Sequence, residues 1–316
     1  MFRLTLLSSI IILLSACSGN QARQVAHLDN FYQYQVYSPN SEPITIDELV
    51  KSVQKADVIL VGEWHTHSGI HRFQTELLQR LLKQHMTIAL SMEQFSRDHQ
   101  SAINNYLEGK IGEQTLITQT EAWPNYPSDY RPLVELAKQH QSDIIAANAP
   151  KKVVRCVGQL GLDYLNTLTP TQRSFVAKSI NTDSSPYKNV FMESMHHGDE
   201  EQTERQYAAQ ISWDETMAES IVNYLDTNPT SKVMHIAGSF HVQQGLGIKS
   251  SILKRNPTLN VVVITPKSIA ELSPQSGKDY QLAVLAPPVR YVKMENRMAA
   301  YHSIKKRNHQ LECSPN

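Results

Sequence analysis

The chain is 316 residues long, 41% hydrophobic and 19% charged, with Lys plus Arg and Asp plus Glu balanced at 30 each. That balance excludes a global field of the kind that recruits nucleic acid or acidic lipid. The roughly 270 residues after an N-terminal stretch suffice for one large domain with a smaller appendage.

Met1-Phe2-Arg3 is followed by an almost wholly apolar run, Leu4 to Ala16, and then by Cys17. One basic residue, a short apolar run and a small-residue stop describe a secretory signal over 1–16. The run falls well short of the roughly 20 residues that cross a bilayer as a helix. Leu14-Ser15-Ala16-Cys17 resembles the bacterial lipobox, in which the cysteine is acylated (palmitate among its chains) and becomes the first mature residue. Ser18, rather than Asp, then implies the outer membrane, facing the periplasm and held by lipid alone. Residues 17–42 are expected to be a tether.

Thr45-Ile46-Asp47-Glu48 is a capping box and starts a helix to about Lys55. Asp57 to Gly62 is a continuous apolar run ending in Gly, the signature of a strand buried on both faces. A polar loop, His65 to Ser68, leads into Ile70, Phe73, Leu77, Leu78, Leu81 and Leu82 at helical spacing. Met86 to Met92 reads as the next strand, ending at Glu93. Gln94 to Asp129 is loop-rich with short helices, and Tyr130-Arg131-Pro132 opens a helix with Pro near its first position. Asp143 to Ala147 is a third strand, followed by a helix from Lys151 to Gly158.

Beyond Asp163 the chain changes character. Thr169-Pro170 starts a helix, Ser184-Ser185-Pro186 breaks the run, and no strand-like stretch occurs before about Gln210. Ser212 then caps a long helix carrying Trp213, Met217, Ile221 and Leu225. Lys232 to Ala237, Asn260 to Thr265 and Gln281 to Ala286 are strands, with a helix near Lys249 to Arg255. Strands alternating with helices predict an α/β fold, a doubly wound and mainly parallel sheet flanked by helices. The core is expected over 43–158 and 210–290, with a helical insertion or lid over 159–209. A tail over 291–316 follows; Lys293 to His309 is basic and reads as a solvated helix. Cys156 and Cys313 are the remaining cysteines; an oxidising compartment would permit a bridge, and nothing else in the sequence supports one.

Gly62-Glu63-Trp64-His65 and Gly238-Ser239-Phe240-His241 give the same G-x-x-H ending to two strands. Open α/β sheets gather ligand sites at the carboxyl ends of their strands. Two imidazoles at one rim, with Glu63 and Glu93 nearby, suit a transition metal, a proton-transfer step or an iron porphyrin. His67 and His71 share the first loop. The two glutamates read equally as metal ligands, as a general base or as partners that orient the histidines. H-E-x-x-H, G-x-S-x-G and a phosphate-cradling glycine loop are all missing from the sequence. Trp123, Tyr126 and Tyr130 cluster, as do Tyr187, Met192, Met195, His196, His197 and Tyr207. A porphyrin needs an apolar wall, an axial ligand and a cation for its propionates, and these segments contain all three residue types.

At these residues the chain resembles the ChaN-type haem-binding lipoproteins, grouped with the Tiki metalloproteases, TraB proteins and erythromycin esterases. The resemblance rests on Gly62-Glu63-Trp64-His65 with His71 and Gln74, Ser91-Met92-Glu93-Gln94, Tyr130-Arg131-Pro132-Leu133 and Ala147-Asn148-Ala149-Pro150. Gln210-Ile211-Ser212-Trp213-Asp214 with Met217-Ala218 and Ile236 to His241 complete it. It implies a haem-binding protein, a binder more than an enzyme with enzymatic activity left open, that serves haem and iron uptake, storage or relay. It also implies haem at a homodimer interface, iron ligated by a tyrosine of one subunit, propionates met by His and Lys of the other, and an outer-membrane haem receptor as partner. Tyr187 is the ligand expected from position, with Tyr164 and Tyr207 as rivals. Phe240, bulky beside His241, departs from the small residue expected there. The rival implication is a metal-dependent hydrolase with His65, His241, Glu63 and Glu93 around one divalent ion. A partner protein with a vestigial site is the third reading.

Overall fold

The structure, a computed structural model, describes residues 27–84, 87–194, 199–272 and 277–313. The signal segment, Cys17, and Met195, His196 and His197 lie outside the described residues.

The strands are β1 (Gln35–Tyr37), β2 (Pro43–Ile44), β3 (Val58–Glu63), β4 (Ile88–Ser96), β5 (Ile144–Asn148), β6 (Lys232–Gly238), β7 (Val261–Ser268) and β8 (Tyr280–Val284). The helices begin with α1 (Ile46–Ser52), α2 (Ser68–Lys83), α3 (Gln100–Leu107), α4 (Glu113–Gln119), α5 (Arg131–Gln139) and α6 (Lys151–Leu160). Next come α7 (Pro170–Ser174), α8 (Pro186–Ser194), α9 (Glu200–Thr227), α10 (Ser239–Val242), α11 (Ile248–Arg255) and α12 (Met294–His309).

Eight strands form one sheet in the order β2-β1-β8-β7-β3-β6-β4-β5. All neighbours run parallel except at the β2-β1-β8 edge, which is antiparallel. The expected α/β fold is therefore present. Every residue of β3 is buried, as an apolar strand with helices on both faces must be. One apolar core joins α1, α2, α3 and α5 to one sheet face; α9 and α11 close the other.

Three expectations need correction. The tether over 17–42 is not wholly tether, because Gln35–Tyr37 adds to the sheet against Gln281–Ala283. Three residues are too short for a hydrophobic period to register. Ser212 is not a helix cap; α9 begins at Glu200, with the Asp199 side chain accepting from Gln202 N–H. Ser212 sits inside that helix and donates to the Ala208 carbonyl at 2.6 Å, the back-bonding that helical serines adopt when a cap is elsewhere. The helix from Thr169-Pro170 is one short turn, ending at Ser174, and Pro186 opens α8.

The outer edge of β5 is covered by a side chain. Gln100 Nε2 donates to the Ile144 carbonyl and Ala146 N–H donates to Gln100 Oε1, each at 2.8 Å. One amide thus occupies backbone groups that another strand would otherwise seek. Cys156 and Cys313 are joined as a disulfide, their Cα atoms 5.5 Å apart.

Candidate functional site

Sheet register decides which loops meet. β3 lies between β6 and β7, and Gly62 pairs with Ala237 and Glu63 with Gly238. The two G-x-x-H endings therefore leave the sheet side by side. Gly62 has no room for a side chain: a Cβ would stand 2.7 Å from Val242 Cγ2 and 3.0 Å from Pro266 Cδ.

Glu63 is buried at the centre of the first loop. Its Oε1 accepts from His65 Nδ1–H at 2.8 Å, Tyr130 O–H at 2.7 Å and Gln94 Nε2 at 3.0 Å. Its Oε2 accepts from Gln74 Nε2 at 2.8 Å. Burial alone would raise its pKa, but the His65 hydrogen bond and the neighbouring His71 and His65 charges hold it below the usual carboxylate range. Both oxygens are spent on donors, so Glu63 holds the His65 ring in place through Nδ1 and binds no ligand itself. Burial and the Glu63 charge push the Tyr130 phenol far above its ordinary range.

His65 is the exposed member of the pair, its side chain 44% accessible. With Nδ1–H committed to Glu63, Nε2 carries the lone pair of the neutral ring. Burial works against a charge on this ring, but the Glu63 hydrogen bond and the Glu93 and Glu63 charges raise its pKa. The Trp123 ring stands edge-on at 5.0 Å. His71 is a support: each of its ring nitrogens faces an acceptor, Gln74 Oε1 at 3.0 Å and the His65 carbonyl at 3.1 Å. His67 takes no part in this cluster; its Nε2 donates to the Leu285 carbonyl at 3.0 Å.

The second histidine has its own carboxylate. His241 Nδ1–H donates to Asp214 Oδ1 at 2.7 Å, and its Nε2 lies 3.7 Å from Glu93 Oε1. Burial opposes the charge on His241, yet the Asp214 and Glu93 carboxylates override it and push its pKa up to about 9. Glu93 Oε2 accepts from Gly238 N–H at 2.6 Å. A Cβ on Gly238 would stand 3.1 Å from His65 Nε2 and 3.6 Å from Glu93 Oε2. Glu93 thus bridges the two halves, next to the register shift that β4 makes between Met92 and Ser96, a bulge of the sort that re-aims side chains near sites.

The expected residues Glu63, His65, His71, Glu93 and His241 are brought together; His67 is not part of the cluster. Asp214 is a site residue that the sequence does not single out: α9 also carries the buried acids Glu215 and Glu219, and which of the three faces the rim depends on how the helix docks. Of the three tyrosines expected as ligands, Tyr187 reaches the rim: it is buried, donates to Asp214 Oδ2 at 2.8 Å and accepts from Gln210 Nε2 at 3.0 Å. Burial and Asp214 raise its pKa well above the phenol value. Tyr207 packs behind it, and Tyr164 lies in a separate cluster under α6. Among the described residues no group of three or more His, Cys, Asp or Glu is arranged to hold a metal ion.

A family model described as haem-binding uptake, Tiki superfamily, ChaN matches residues 49–252, a span that contains every member of this cluster. Among solved structures, a ChaN of Campylobacter jejuni with cofacially bound haem is 18% identical, with a TM-score of 0.61 over 80% of this chain and 97% of that one. An erythromycin esterase in its open conformation is 12% identical, with a TM-score of 0.44 over 85% of this chain and 87% of that one. A curated relative, the chloroplastic Protein RETICULATA-RELATED 5 of Arabidopsis thaliana, is 24% identical over 201 residues, which is 60% of this chain. The match spans only 27% of that plant protein's length.

Proposed function

We propose, from the premise that the chain belongs to the ChaN family of haem-binding uptake proteins in the Tiki superfamily, that it binds haem at the rim built by Glu63, His65, Glu93 and His241. The observation that carries the reading is His65: an exposed imidazole, oriented by a buried carboxylate through Nδ1 and flanked by the Trp123 ring. That is the donor and the apolar wall an iron porphyrin requires. When bound, haem supplies a ferric centre that accepts an imidazole or phenolate ligand. His65 would hold it from this chain; Tyr187 would reach it only by giving up its bond to Asp214.

The cavity lined by Tyr187, Tyr207 and Leu246 is about 150 Å³, smaller than the roughly 300 Å³ at which small-molecule pockets begin. That cavity would not admit haem, so the open rim is where this chain would hold it, with a second copy of the chain completing the site. The C. jejuni structure, with haem bound cofacially, accords with such an arrangement. The finer reading is a lipoprotein acylated at Cys17, held at the outer membrane facing the periplasm, that stores haem or relays it from a receptor. The lipobox-like Leu14 to Cys17 supports it, as does the Cys156–Cys313 disulfide, which suits an oxidising compartment.

The test is a hemin titration of the chain from Gln21 onward, read by absorbance and sedimentation. A saturable Soret band with haem-driven dimerisation is expected, with affinity lost in His65→Ala. Tyr187→Phe is expected to leave the band in place; a shifted band would return the tyrosine to the ligand role. No saturable band would overturn the reading. Metal-dependent hydrolysis at His65, His241, Glu63 and Glu93 is the weaker alternative, because both oxygens of Glu63 already accept hydrogen bonds. A stoichiometric transition metal found by elemental analysis would revive it.

A further inference from the structure

The net charge of zero conceals one segment of different character. Ten large apolar side chains are exposed among the described residues: two are Phe31 and Tyr32, seven fall between Val289 and Ile304, and the tenth is Leu160. Val289, Val292 and Met294 are 79%, 92% and 65% exposed. Water is a poor environment for so much apolar surface in two short stretches, and such concentrations mark interaction sites. The sequence of the second stretch, 289–309, also carries six Lys or Arg (290, 293, 297, 305, 306 and 307) against one acid, Glu295. Glu295 lies 3.6 Å from Lys293, which leaves the stretch strongly positive.

The two stretches leave the core at one place. The Phe31 ring packs against His67 with centroids 5.3 Å apart, and His67 donates to the Leu285 carbonyl, where the C-terminal stretch begins. The backbone around Phe31 lies tight on the first turn of α2: a Cβ on Gly69 would stand 2.7 Å from the Phe31 carbonyl and 2.9 Å from that of Gln33. His67 thus pins both exits beside the rim that carries His65.

We propose that Phe31–Tyr32 and residues 289–306 form one membrane-docking surface whose partner is the anionic headgroup layer of a bilayer. The positive charge selects the anionic surface, and the exposed Val289, Val292 and Met294 at the start of the stretch enter the headgroup–acyl boundary beside it. Among the described residues no helix is long and apolar enough to cross a membrane, so the contact is interfacial. It is independent of any acylation of Cys17 and of haem binding. Its consequence is placement, since it sets the His65 rim beside the lipid surface.

The test uses the chain from Gln21 onward, which contains every residue of the described fold and no acyl anchor. It is sedimented with vesicles of phosphatidylcholine alone and with vesicles in which one third is phosphatidylglycerol. Binding to the anionic vesicles is expected, weakening with salt. Lys293→Glu with Arg297→Glu is expected to weaken it at least about tenfold, and Val292→Asp with Met298→Asp by a similar factor. Unchanged thermal melts of both variants would show that the core is intact. No binding, or equal binding to neutral and anionic vesicles, would overturn the proposal. So would a concentration-dependent dimer abolished by Val292→Asp, which would assign the surface to a second copy of the chain.

Discussion

Asp214, in the middle of α9, accepts a hydrogen bond from His241, just past the end of β6, at 2.7 Å, and both groups are buried. The pair ties the helix that covers one sheet face to the loop that forms the rim. Its charges make a first prediction. His241 ionises at about 9 in the fold against 6.5 for a free ring, so its contribution to stability is complete below about pH 6.5. It is lost as pH rises through 9. Asp214→Asn removes that dependence and lowers the His241 pKa, which NMR titration of the ring measures. The same substitution takes away the nearer carboxylate and leaves His241 with Glu93 at 3.7 Å, and is expected to cost about 3 kcal/mol in urea unfolding near neutral pH.

A second prediction concerns Gly238. A Cβ there meets the His65 ring at 3.0 and 3.1 Å, so Gly238→Ala displaces the imidazole without disturbing the strand. Hemin affinity is expected to fall about tenfold, the loss of one contact of about 1.4 kcal/mol, while the thermal midpoint stays nearly unchanged. Unaltered hemin affinity would remove His65 from the site.

His235 gives a third. It is fully buried on β6 with Nδ1 against Ser91 Oγ at 2.8 Å, and burial pushes its pKa down to about 3. The unfolded ring takes a proton below about 6.5 while the folded one does not, so stability falls as pH drops from about 6.5 toward 3. One proton corresponds to a slope of about 1.4 kcal/mol per pH unit. His235→Gln is expected to flatten the pH profile of urea stability by that amount in that window.

Gln100 supplies a fourth. Its amide covers the Ile144 carbonyl and the Ala146 N–H at the free edge of β5. Gln100→Ala is expected to lower stability by about 1–2 kcal/mol and to allow edge-to-edge association. Sedimentation at rising concentration reads the second effect; a monomer at every concentration would show that the edge needs no cover.

Much of the fold was legible because its inner strands are continuous apolar runs. Val58 to Glu63 and Lys232 to Gly238 were found within a residue or two, since burial on both faces selects apolar side chains at most positions, with buried His235 and its partner Ser91 as the exception. The edge strands β1 and β2 escaped, because three and two residues hold no period to read. Within the site, Glu63, His65, Glu93 and His241 were visible as polar residues where apolar runs end. Asp214 was not, because its burial depends on which face of α9 meets the loop after β6.

Sequence by itself determined the α/β alternation, the two strand-end histidines and the family signature, since each is written in neighbouring residues. Tertiary structure decided what those residues do to one another. The register Glu63 to Gly238 set the histidines side by side across 176 residues, assigned each its own carboxylate, left His65 open and buried Tyr187 against Asp214. Such pairings follow from strand order and helix docking, and local sequence carries no record of either.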